Sequence, residues 1–201
     1  IYNFNISVAV TNEFMEAVID GNPQKWKNTD KTAKEWLKRI AFYAHQSGDP
    51  GIVFIDRVQD DDFLTRKLGP VKAAVPCGEQ FLHDLETCNL GAINLNADSF
   101  LQNNEIQWKR LKEVIWASVR FLDNVVDLLD IPDEEMKQIS LDLRRIGLGI
   151  TGWADLLKKL NLEYHSEEAQ KLGHSISKFF TEEAMAASRE LAKERGPCKY
   201  C

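Results

Sequence analysis

The sequence predicts a helix-rich α/β fold, and three observations lead to it. Strand-like and helix-like stretches alternate over the first 55 residues, and Gly51-Ile52-Val53-Phe54-Ile55 is a compact apolar run of strand length, as in a strand buried on both faces of a parallel sheet. The second half carries long stretches with apolar residues at helical spacing. With 201 residues and 44% hydrophobic content, the chain can bury a core as one domain or two small ones. A net charge of −6 argues against a nucleic-acid surface held by phosphate contacts. No run of about 18 apolar residues and no signal-peptide pattern is present, which predicts a protein of the cytoplasm with no membrane partner. Four cysteines in such a chain point to catalytic, redox or metal-binding use before a structural disulfide framework.

Taken in order, Ile1 to Val10 alternates like a half-buried strand with no cap or leader before it, so the sequence reads as starting inside an element. Thr11 is an N-cap for a short helix carrying Phe14, Met15 and Val18, which Gly21-Asn22-Pro23 ends. Thr29 or Asp30 caps the next helix, with Trp36, Leu37, Ile40 and Tyr43 on one face and Ser47-Gly48-Asp49-Pro50 as its stop. His45 near that end suits a helix C-terminus or a core edge. Asp60-Asp61-Asp62 reads as a solvated loop or a helix start, because consecutive acids point in different directions and make a poor metal cage. Leu85 to Leu95 has the apolar alternation of a strand, and Asn103-Asn104 marks a turn. The longest amphipathic pattern runs from Trp108 to Leu129 and breaks at Pro132, and a further helix starts near Asp133. The glycines of Ile146-Gly147-Leu148-Gly149-Ile150-Thr151-Gly152 have the wrong spacing for a dinucleotide loop and are read as close packing where a strand meets a helix. Helices follow over 153–160 and from Ser166 to Arg195, closed by Gly196-Pro197.

The chemistry concentrates in Val75-Pro76-Cys77-Gly78-Glu79 and in Cys88, eleven residues after Cys77. Pro76 and Gly78 favour a tight turn, placing Cys77 at a loop tip. In extended backbone Cys77 and Glu79 would point to one side, a thiol beside a potential base. The plainer reading is a buried cysteine in a turn beside a solvated glutamate. Cys198-Lys199-Tyr200-Cys201 is a C-x-x-C, either a redox dithiol or half of a zinc site.

Pro-Cys-Gly-Glu-Gln, the spacing to Cys88 and the run Cys88-Asn89-Leu90-Gly91-Ala92-Ile93-Asn94-Leu95 together resemble the finger loop of ribonucleotide reductase catalytic chains. Four further segments agree collinearly with that family: Phe4 to Val10 with Phe14-Met15, Gly48 to Arg57, Val119 to Asp127, and Arg144 to Ile150. The resemblance implies the central part of a ten-stranded α/β barrel over residues 1–201, with the finger loop at about 71–95 and the N- and C-terminal parts of the barrel outside the chain. It also implies that Cys77 becomes a thiyl radical that abstracts the ribose 3′ hydrogen, and that Glu79 is the base on the 3′ hydroxyl. Partial burial would raise the Glu79 pKa into a useful range. Cys88 would be one of two thiols that supply electrons by forming a disulfide, its partner lying upstream of Ile1, with Cys198 and Cys201 aligning with neither. Substrate contacts fall to Gly78 and to position 75, where Val75 stands in place of the usual Asn and loses a hydrogen bond to the sugar, a cost of about 1–3 kcal/mol.

The motif is closer to the adenosylcobalamin-dependent class than to the class that takes its radical from a metal-containing partner subunit, although both share the barrel. The implied partners are a ribonucleoside di- or triphosphate, a thioredoxin-like reductant, the remaining barrel segments and a second copy of the full enzyme. Two other classes compete on residues alone. One is a zinc-clipped helical scaffold built on Cys77, Cys88, Cys198 and Cys201, and the other a cysteine-nucleophile hydrolase with His83 as base.

Overall fold

The computed structural model describes residues 4–200, which fall into two compact units divided between Asp84 and Leu85. Cys201 and the first three residues of the expected opening strand lie outside the described residues. The expected finger stretch 71–95 spans the division between the units.

The first unit is built on a parallel pair, β1 (Ser7–Val10) and β2 (Gly51–Phe54), with Ser7 opposite Gly51 and Val10 opposite Phe54. Between them run α1 (Asn12–Ile19) and α2 (Ala33–Ser47). Thr11 caps α1 as its sequence predicts, its hydroxyl accepting from the Phe14 N–H at 3.2 Å. The cap of α2 is Thr32, neither Thr29 nor Asp30. Glu35 three residues on completes a reciprocal capping box there: Thr32 Oγ1 accepts from the Glu35 N–H at 3.2 Å, and the Glu35 carboxylate accepts from the Thr32 N–H at 2.8 Å. The Thr29 hydroxyl is occupied elsewhere, donating to the Trp26 carbonyl at 2.6 Å and accepting from Trp36 Nε1 at 2.9 Å. Val10, Phe14 and Ala33 form a small core with Trp26, Trp36 and Leu37 against it, and Phe14 meets Trp26 edge-on at 5.2 Å between ring centres. Exposed His45 sits in the last turn of α2.

The chain then departs from the expected pattern. Ile55 opens a helix, α3 (Ile55–Asp61), where strand was expected to continue. Asp60 and Asp61 close that helix, and Asp62 turns inward to a 13% exposed side chain, so the acidic run is neither a solvated loop nor a helix start. A single turn, α4 (Thr65–Leu68), leads to a short antiparallel hairpin of β3 (Ala73–Ala74) and β4 (Phe81–Leu82).

The second unit has its own parallel pair. Of the expected strand over 85–95, residues Asn89–Asn94 form β5, since Leu85 takes a positive φ of 57° that extended backbone does not allow. Asn103 and Asn104, both at positive φ, make the turn between β6 (Leu101–Gln102) and β7 (Glu105–Ile106), as hairpin twist requires. Then come α5 (Trp108–Leu128), α6 (Glu134–Leu143) with its Asp133 cap, and β8 (Ile146–Thr151). Strands β5 and β8 pair in parallel from Asn89 opposite Ile146 to Asn94 opposite Thr151. Helices α7 (Trp153–Lys159) and α8 (Glu167–Arg195) complete the unit, with Ser166 capping α8. Ile93, Leu111, Ile115, Val119, Leu156 and Ile176 lie at the centre of its core.

The α/β class is therefore observed, helix-rich and with parallel strand pairs joined through helices. Among the described residues the strands make four two-stranded sheets and no closed barrel. No helix of the described residues is long and apolar enough to cross a membrane.

Candidate functional site

Cys77 sits on the turn of the β3–β4 hairpin. Val75 N–H donates to the Gln80 carbonyl at 3.0 Å, continuing the ladder by one step, and Gly78 N–H donates back to the Val75 carbonyl at 2.9 Å. Pro76 therefore occupies the second position of a four-residue turn, where its fixed φ is pre-set, and Gly78 follows at φ +75°, a conformation that favours glycine. The loop-tip placement of Cys77 is observed. The same-side argument for Cys77 and Glu79 is not, because it assumes extended backbone and the chain turns between them. Cys77 and Glu79 are both exposed, so the plain reading of a buried turn cysteine fails, and Glu79 lacks the partial burial that would raise its pKa. Val75 is half-buried.

Gln59, which the sequence does not single out, and an Asp62–His83 pair hold the base of this hairpin. Gln59 on α3 binds the backbone of buried Val71 twice, its Oε1 accepting from the Val71 N–H at 2.9 Å and its Nε2 donating to the Val71 carbonyl at 3.3 Å. Gln59 thus satisfies both backbone polar groups of Val71 just before the leg begins to pair with β4 through Lys72 N–H and the Leu82 carbonyl. On the other leg, Nε2 of His83 lies 2.9 Å from the Asp62 carboxylate, which also accepts from the Thr65 hydroxyl at 2.8 Å. His83 is 5% exposed, so it is a buried anchor at the foot of the hairpin. That engagement sets it against the role of base for a nucleophile at the tip.

Two clefts flank the turn inside this unit. One, of about 250 Å³, is lined by Asn5, Ser7, Lys72, Val75 and Pro76 among others. The second, of about 380 Å³, is lined by Asn5, Ser7, Asp49, Gly51, Cys77 and Gly78 among others. The larger lies within the size range of small-molecule sites, roughly 300–1,000 Å³, and the smaller falls just short of it.

Cys88, in the second unit, is half-buried immediately before β5. A Cβ placed on Gly147 of β8 would lie 3.5 Å from its Sγ and 2.3 Å from Leu90 Cδ2, so glycine at 147 leaves room beside the thiol. The residues around Cys88 are tied down on every side. Glu86, with a fully buried side chain, pairs with Arg145. Thr87 and Ser140 share a hydroxyl hydrogen bond of 2.7 Å. Asn89 Nδ2 donates to the Leu122 carbonyl of α5 at 2.9 Å.

Further along, Arg144 caps α6 at φ +49° and binds Asp123 at 2.9 Å and Asp127 at 2.6 Å. The hydrogen bond from Arg144 holds the Asp127 carboxyl below the usual carboxylate range, and the same carboxylates raise the Arg144 pKa further above neutrality. Cys198 is half-buried beyond α8, and Cys201 lies outside the described residues. No group of three or more metal-ligating side chains comes together among the described residues, so the zinc-scaffold reading gains no support from Cys77, Cys88 and Cys198.

Comparison with known proteins places this geometry in context. The family model described as "Ribonucleotide reductase, barrel domain" matches residues 20–200. The "Vitamin B12-dependent ribonucleoside-diphosphate reductase" of Thermoplasma acidophilum is 37% identical over 201 residues, covering 96% of this chain and 26% of that protein. The protein of the same name in Mycobacterium tuberculosis (strain CDC 1551 / Oshkosh) is 39% identical over 201 residues, covering 96% of this chain and 29% of that protein. Among solved structures, the "Actinobacillus ureae class Id ribonucleotide reductase alpha subunit" superimposes with a TM-score of 0.80 at 24% identity, over 98% of this chain and 37% of that one, a likeness of fold. The chain thus spans under a third of the length of the relatives it matches.

Proposed function

Because the chain belongs to the ribonucleotide reductase barrel-domain family, we propose that it is the central part of a catalytic barrel that converts ribonucleotides to deoxyribonucleotides. The observation that carries this is the hairpin turn, which holds Cys77 and Glu79 exposed at its tip while Gln59 and the Asp62–His83 pair fix its base.

In this reading Cys77, as a thiyl radical, takes the 3′ hydrogen atom of the ribose, and the Glu79 carboxylate accepts the proton of the 3′ hydroxyl. The 2′ hydroxyl then leaves as water, taking a proton from a thiol. Cys88 and a second thiol from another barrel segment lose two electrons together, forming a disulfide; one of their hydrogens leaves in the water and the other goes to the 2′ carbon. Glu79 returns its proton to the 3′ oxygen, and Cys77 returns its hydrogen to the 3′ carbon, which restores the thiyl radical. The overall balance is one ribonucleotide and two thiols to one deoxyribonucleotide, one disulfide and one water. Val75 and Gly78 line the substrate side of the turn. A thioredoxin-like dithiol reduces the disulfide, and the full enzyme acts as a homodimer on a ribonucleoside di- or triphosphate.

The names of the relatives support adenosylcobalamin as the cofactor, with a metal-containing partner subunit as the other known source of a radical. When bound, adenosylcobalamin supplies the radical that oxidises the thiol. The exposed tip position suits Cys77 for receiving it, and no residue is assigned to holding the cofactor.

The test is ribonucleotide reduction by this chain joined with the remaining barrel segments, with adenosylcobalamin and a dithiol. Turnover that vanishes in Cys77→Ala and rises in Val75→Asn is the expected result. An assembled barrel in which the parent and both variants are equally inert, with either radical source, refutes the proposal.

A further inference from the structure

Asn5 and Ser7 are the two polar side chains common to both clefts beside the Cys77 turn. They stand two residues apart, Ser7 as the first residue of β1 and Asn5 just before it, a spacing that puts both on one face where the chain is extended. Neither side chain makes a hydrogen bond to another described residue, so an amide with two donors and an acceptor and a hydroxyl with one donor face the clefts unused. Across the clefts the turn presents Val75, whose side chain neither donates nor accepts, together with Cys77. The space over Ser7 is kept open by its strand partner: a Cβ on Gly51 would come within 2.9 Å of Ser7 Oγ.

We propose that Asn5 and Ser7 form the polar wall that binds the hydroxyls of a ligand sugar at the Cys77 turn, providing hydrogen bonds that Val75 cannot. The inference rests on the ribonucleotide reading of the same site and adds its specificity residues. A side-chain amide and a hydroxyl on one face can together satisfy the donors and acceptors of vicinal hydroxyls, and a site built to bond a hydroxyl rejects an analogue that lacks it. Asn5 and Ser7 therefore favour a ribonucleotide over the corresponding 2′-deoxyribonucleotide, which also helps release of the product. Lys72 in the smaller cleft adds a positive charge of the kind a nucleotide needs nearby.

The experiment measures equilibrium binding of a ribonucleoside diphosphate and its 2′-deoxy counterpart to the complete catalytic chain carrying these residues, in the parent and in Asn5→Ala, Ser7→Ala and Gly51→Ala. Each of the first two variants is expected to weaken ribonucleotide binding about fivefold, the worth of one neutral hydrogen bond, and to leave the deoxynucleotide nearly unchanged. Gly51→Ala, which displaces Ser7 Oγ without altering its chemistry, is expected to reproduce the Ser7→Ala result. Equal weakening of both ligands, or no change in either, overturns the assignment while leaving the ribonucleotide reading standing. A parent enzyme that binds neither nucleotide overturns that reading itself, and this inference with it.

Discussion

Glu86→Gln tests whether the approach to Cys88 is held by a buried ion pair. The Glu86 side chain is 0% exposed and that of Arg145 is 16% exposed, so the pair has little water to fall back on. Removing one partner of a buried pair strands the other charge, at a cost of about 3–5 kcal/mol. The residual exposure of Arg145 lets some water reach it, which lowers the expectation to about 2–4 kcal/mol. Arg145 Nη2 is already buried without a hydrogen-bond partner among the described residues, which adds to the cost. Urea denaturation of the chain followed by far-UV circular dichroism measures the change, and a double variant with Arg145→Met measures the coupling. The double variant is expected to be more stable than the additive sum by at least about 1 kcal/mol, since neutralising both sides leaves no stranded charge. A Glu86→Gln effect within about 0.5 kcal/mol, the range of an ordinary surface change, would refute the reasoning. So would strict additivity in the cycle. The thiol gives a second readout: alkylation of Cys88 in the folded chain should accelerate in Glu86→Gln as the segment loosens.

Two further outcomes follow from the second unit. Gly152 stands at φ +72°, and a Cβ there would meet Asn94 Oδ1 at 2.2 Å and the Asn96 backbone nitrogen at 3.0 Å. Gly152→Ala should therefore lower stability by about 2–4 kcal/mol, combining left-handed strain with loss of the hydrogen bond that the Asn96 N–H donates to Asn94 Oδ1, and a thermal shift under about 2 °C would contradict this. Glu183 accepts from Trp116 Nε1 at 2.7 Å and from Lys112, and these bonds hold its carboxyl below the usual 4.5. A folded pKa depressed in this way adds stability that is full above the unfolded value and is lost as pH falls below about 4.5 through the folded one. The difference in tryptophan fluorescence between the parent and Glu183→Gln should titrate below pH 4.5, and a midpoint above it would show that the carboxylate is not stabilised.

Most of what was legible in the sequence is local chemistry. The caps at Thr11, Asp133 and Ser166, the stops at Gly48 and Gly196, and the Asn103-Asn104 turn follow from one or two residues acting on their own backbone. The long helix over 108–128 followed from periodicity, which averages over enough residues to outweigh any single contact. Cys77 at a tip followed from Pro76 and Gly78, whose φ preferences need no partner.

Other features were decided by tertiary structure. Strands β3 and β4 have two residues each, too few for a period to register, so the hairpin that carries Cys77 is visible only once its ladder has closed. Thr29 resembles a cap as much as Thr32 does until Trp26 and Trp36 claim its hydroxyl. Asp62 and His83 are 21 residues apart and Glu86 and Arg145 are 59, and such pairs form where the fold brings polar groups out of water together, a condition no local pattern encodes. The sequence alone identified the family and singled out Cys77, Glu79 and Cys88 as candidate reactive residues. The three-dimensional fold determined what anchors those residues and which polar groups face them, because burial and long-range pairing depend on the whole chain.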